Sequence, residues 1–253
     1  MSKFKGELNE ITPSFLVTES NRDNRVEGFF LGLGVVFNDL KGFVLFEKML
    51  QEKYEAPSAD EITSHAGNYS GVLVQIQKLA ASTINEFFVF LEKNTVVFKT
   101  NEFKEISNRL SKSDKVLLDG MVSAANGNLP GAEGLLKTLV KIRSNIAFHY
   151  DHSGKILRNA YVSRFFGDAK DAKNKFAYYS LGDSIELTRF YFSDAAVEEA
   201  IHIAAGKKPK ECSKGDSSLA KYYTEVREAL TVVGSLIMSL LKNYIQLRRN
   251  RPR

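Results

Sequence analysis

Arg143 and His149 stand six residues apart in the run Ile142-Arg-Ser-Asn-Ile-Ala-Phe-His-Tyr-Asp151, and they are the pair in this chain best suited to chemistry. A histidine titrates near neutrality and can pass a proton in either direction. An arginine is permanently charged. Placed away from water, it must find a carboxylate, a carbonyl or a ligand phosphate, because an unpaired buried charge is very costly.

The surrounding pattern puts both groups away from water. The spacing predicts a helix over about 130–150, entered through Asn126-Gly-Asn-Leu-Pro-Gly131, where Pro130 suits a first turn. At helical spacing Leu135, Leu139, Ile142, Ile146 and His149 form one stripe. Leu136, Val140, Arg143, Ala147 and Tyr150 form the next, and Lys137 and Lys141 mark the solvent side. Six residues turn about 240° round a helix, so Arg143 and His149 do not meet easily on one copy. They converge if the helix ends near His149, or if a two-fold axis joins two copies. A purely structural role fits the same pattern, with the arginine paired to a buried acid such as Asp39 or Glu86 and the histidine capping carbonyls.

The elements that would position the pair are helices. Residues 1–24 read as an N-terminal arm and 25–253 as a single helical domain. Its first helix carries Phe29, Leu33, Val36, Leu40 and Phe43 at 4-3-4-3 spacing, a wide apolar face. Gly32 and Gly34 within it suit close packing. A second long helix is expected from about Asp60 to Lys93, kinked or delayed by Gly67 and Gly71. Shorter helices are expected at Asn101–Leu110, Lys112–Ala125, Lys155–Phe166 and from an Asp194 cap through Ile203. A long basic helix runs from Ser217 to about Arg248, within a C-terminal segment 217–253. Phe176–Ser180 and Ile185–Phe192, aromatic and β-branched around Gly182-Asp183, predict a small β-hairpin near 176–192. The expected class is therefore all-α, a helical bundle with one hairpin attached.

The run 142–151 resembles the R-x4–6-H motif of HEPN domains (higher eukaryotes and prokaryotes nucleotide-binding), most closely in their bacterial toxin and phage-defence branches. The likeness covers residues 130–166 in detail and the bundle in outline. The position after the arginine is Ser144, where that family often carries Asn, Asp or His, and Asn145 follows. The resemblance implies a HEPN-like fold, a homodimer and a metal-independent endoribonuclease of toxin or defence type. RNA carries its own nucleophile, the 2′-hydroxyl, so such a site needs only proton transfer and charge stabilisation. Arg143 and His149 would be the catalytic pair, the arginine binding phosphate and the histidine acting as general acid or base. Ser144, Asn145 and Tyr150 would support RNA or the histidine, and an antitoxin protein is an implied partner. The alternative is a non-catalytic helical scaffold, or an RNA- or protein-binding module of the same fold.

Composition narrows the field. A single cysteine, Cys212, rules out an internal disulfide framework and any multi-cysteine zinc site, which fits a reducing compartment. His149, Asp151 and His152 lie within four residues, but no further cluster completes a metal site; no metal or cofactor is expected. His65 and His202 read as incidental. The N-terminus is charged where a signal peptide would be apolar. Phe29–Phe37 and Leu230–Leu241 stop short of the ~18–20 apolar residues a bilayer demands. A cytoplasmic protein without membrane contact is the expectation. Net charge is +5, with eleven basic against four acidic residues from Lys207 onward and −2 elsewhere. The closing run Arg248-Arg-Asn-Arg-Pro-Arg253 can attract phosphate, or simply suit the negative end of a helix dipole.

Overall fold

The computed structural model describes residues 9–18, 24–58, 62–127, 150–166, 176–205 and 217–250. Within them the chain is helical almost throughout and holds no β-strand. Nine α-helices are described: α1 (Pro13–Leu16), α2 (Arg25–Lys53), α3 (Ser64–Lys93), α4 (Thr95–Phe98), α5 (Asn101–Ser107), α6 (Lys112–Ala125), α7 (Tyr150–Phe166), α8 (Tyr191–Ala204) and α9 (Ser217–Arg249).

Side-chain caps set the starts of the main helices. Asn24 accepts from the amides of Val26 and Glu27 ahead of α2 (3.1 and 3.3 Å). Thr63, Thr100 and Ser111 do the same for α3, α5 and α6. Each cap satisfies an amide that the first turn leaves without a partner. The Thr63 cap opens α3 at Ser64, a few residues later than the apolar pattern alone predicts.

The core lies where α2, α3, α5, α6 and α9 meet. Phe29 stacks on Phe90 with centroids 5.0 Å apart, and Phe30 stacks on Tyr244 at 4.2 Å. Leu33, Ile84, Ile106, Leu236 and Ile237 are fully enclosed around them. Gly32 lies directly under the Phe90 ring, so a methyl group there would displace it, while Gly34 has open space about it. Close packing is therefore the role of one glycine of that pair.

The C-terminal half departs from the expected pattern in two places. Residues 150–166 form one helix with no break before Lys155. The expected hairpin is absent: a single antiparallel bridge, Ser180 to Arg189, closes a loop with a 3₁₀ turn at Ile185–Leu187. Tyr191 and Phe192, aromatic enough to read as strand, are instead the first residues of α8. Asp194 therefore sits in the first turn rather than at the cap.

What holds that loop in place is the N-terminal part of α3. Gly67 and Gly71 share one face of that helix, and a Cβ at either would overlap the Tyr191 ring or the Arg189 guanidinium. The Tyr191 hydroxyl donates to the Ser64 carbonyl (3.2 Å), and Arg189 pairs with Asp194 (2.8 Å). The helix is continuous through both glycines, and their missing side chains leave room for the loop.

α2 and α9 are each long and apolar enough, by length and composition, to cross a bilayer. Both also supply much of the core, α2 through Phe29, Phe30 and Leu33 and α9 through Val233, Leu236, Ile237 and Leu240.

Candidate functional site

Arg143, Ser144, Asn145 and His149 lie outside the described residues, as do the expected helix over 130–150 and Cys212. Tyr150 is the first described residue of α7, and only its backbone is described. The two acids considered as buried partners for the arginine, Asp39 and Glu86, are both exposed.

α7 packs chiefly against α8, and α8 also against α3. Ala160, fully buried, marks the inward side of α7, with Ile156 and Ser163 beside it. Further along that side the interior turns polar. The Ser163 hydroxyl donates to Glu199 Oε1 at 2.6 Å, and Arg164 Nη2 approaches Glu198 Oε2 at 3.8 Å. Glu199 is only 2 % exposed, and its Oε2 accepts no hydrogen bond among the described residues. His202, one turn further along α8, is buried as well.

The electrostatics follow from that enclosure. Burial pushes the Glu198 carboxyl above the usual carboxylate range; Arg164 opposes the shift, while Glu199 and Asp194 add to it. Burial also raises the Tyr223 phenol on α9, with Glu198 contributing. Ser163 and Arg164 on α7, Glu198 and Glu199 on α8 and Tyr223 on α9 thus gather a largely buried polar group where the three helices approach. His202, incidental by sequence, is buried one turn further along the same helix. Only Glu198-Glu199 followed by His202 on one helix could have flagged the group in advance.

A second buried ionic group gathers the two ends of the described chain. Arg248 Nη2 lies 2.9 Å from both Glu27 Oε1 and Glu102 Oε1, with its guanidinium 5.2 Å from the Tyr244 ring centre. The approach is close enough for ion pairing, though off the hydrogen-bond axis. Arg248 and Glu27 are almost fully buried. Thr18 donates to both Glu27 oxygens, from its amide (3.1 Å) and its hydroxyl (2.9 Å). Tyr244 donates to the Leu16 carbonyl, and Arg249 donates to that of Glu10 (2.6 Å). The closing basic run therefore commits its first two arginines to the fold.

Among the described residues no group of three or more histidine, cysteine or carboxylate side chains is arranged to hold a metal ion. No family model, curated protein or solved structure matches the chain.

Proposed function

We propose that this is a HEPN-like helical protein that cleaves RNA without a metal, with Arg143 holding the scissile phosphate and His149 moving the proton at a site shared by two copies. Ser144, Asn145 and Tyr150 support RNA or the histidine. The observation that carries this reading is the Arg143-to-His149 spacing in an apolar, helix-patterned stretch of an all-α chain, directly ahead of α7. A bound RNA would supply its own 2′-hydroxyl nucleophile, leaving proton transfer and charge stabilisation to the pair.

Induced expression of the wild type beside Arg143→Ala and His149→Ala tests it. Growth arrest with fragmentation of total RNA is expected from the wild type and from neither variant, all three remaining folded by circular dichroism. Intact RNA and equal growth in all three would overturn the reading.

One observation favours a second reading, a non-catalytic scaffold. Arg248 and Arg249 are engaged within the fold, while the loop ahead of α8 exposes Phe176, Tyr179, Leu181, Ile185 and Leu187. Such exposed apolar side chains suit a protein partner better than a phosphate backbone. The stability of Arg143→Ala separates the two. A structural ion pair predicts a loss of about 3–5 kcal/mol, whereas a catalytic arginine predicts little loss or a gain.

A further inference from the structure

A cavity of about 260 Å³ opens between α6 on one side and α4 and α5 on the other. Phe98, Phe103, Leu118 and Val122 form its apolar lining, and Lys115, Asp119, Ser107 and Ser123 supply its polar groups. The aromatic floor is fixed from behind: Phe98 and Phe103 lie 5.0 Å apart, and the buried Phe29 ring packs edge-on against both.

The charges are arranged unusually. Lys115 and Asp119 are four apart on α6, the spacing at which opposite charges ordinarily pair, about 5–6 Å between Cβ atoms. They do not pair. Lys115 Nζ instead donates to Asn108 Oδ1 at 2.9 Å, and the Asp119 carboxylate has neither a hydrogen bond nor an ion pair among the described residues. An exposed cation and an exposed anion thus line the same partly apolar cavity without pairing with one another.

We propose that this cavity binds a free α-amino acid with an aromatic or large aliphatic side chain. The ligand's ammonium would meet Asp119, its carboxylate would meet Lys115, and its side chain would lie against Phe98, Phe103, Leu118 and Val122. An α-amino acid carries both charges on one carbon, so a single head group spans two side chains one helical turn apart. The volume lies just under the ~300–1,000 Å³ usual for ligand sites, which limits the occupant to a compact molecule. A fatty acid or a simple amine would satisfy one charge and leave the other unmatched.

Calorimetric titration of the whole protein with L-phenylalanine, 3-phenylpropionate and phenethylamine tests the assignment. The expected result is a single site for L-phenylalanine, at least about tenfold tighter than either analogue, since each analogue forfeits one charge-assisted contact. Asp119→Asn and Lys115→Gln, both at exposed positions, should each weaken binding by a similar factor without altering the far-ultraviolet circular dichroism. No heat of binding up to ~10 mM ligand would overturn the proposal. So would equal binding of all three compounds, or binding that both variants leave unchanged, since apolar contact alone would then be at work.

Discussion

Arg248 is the residue whose removal the fold should tolerate least. Taking away its guanidinium leaves Glu27 and Glu102 as neighbouring, largely enclosed carboxylates without their shared cation. Arg248→Met should cost about 3–5 kcal/mol in urea denaturation, the usual penalty for orphaning a buried charge. Glu198 carries the opposite sign of effect. Its carboxyl is raised by burial, so the unfolded chain gives up the proton at lower pH than the folded one. Between the ordinary value of 4.5 and the raised one, the folded state holds more protons, and stability falls as pH rises. Above that window the penalty for an enclosed charge is fully present. Glu198→Gln should therefore raise the melting temperature at pH 7 and flatten its dependence on pH in the mildly acid range. A variant that melts below the wild type at pH 7 would mean that the Arg164 contact outweighs burial.

Among the elements, α2 and α3 show two uses of glycine. Gly71→Ala must push the Arg189–Asp194 pair off the helix, and should destabilise the protein despite alanine's better helix propensity. Gly34→Ala on α2 meets nothing within 4 Å and should gain about 0.5–1 kcal/mol. Opposite shifts of the two thermal midpoints are the expected outcome; equal gains would mean that the loop before α8 is not held there. The sequence conveys only part of this. Periodicity locates α2, α3, α5, α6, α8 and α9 because their apolar faces repeat at the helical spacing over several turns. It misreads 185–192, where aromatic and β-branched residues resemble a strand locally while the register of α8 begins at Tyr191. It also leaves Glu198 and Glu199 unnoticed, since their partners Ser163, Arg164 and Tyr223 reach them only once α7, α8 and α9 converge. The Arg143–His149 pair is legible as spacing and residue type alone.

At the scale of the molecule, the two ends of the described chain are bound to one another. Arg249 reaches the Glu10 carbonyl across 239 positions, and Tyr244 reaches that of Leu16 across 228. The terminal arginines look like a solvated tail in sequence because nothing local names their partners, which lie in the first 102 residues.

That arrangement has a consequence for synthesis. A chain emerges N-terminus first, and early segments can begin folding before late ones appear. Here Glu27 and Glu102 emerge long before Arg248, the cation that neutralises them. Until then, closing α2 against α5 would enclose two carboxylates without a counter-charge, so hydration favours leaving that corner open. Nascent chains stalled with residues up to 220 outside the ribosome should be cut readily by protease between α2 and α5. Chains released through residue 250 should resist, and equal resistance at both lengths would show that the bundle closes without its last helix.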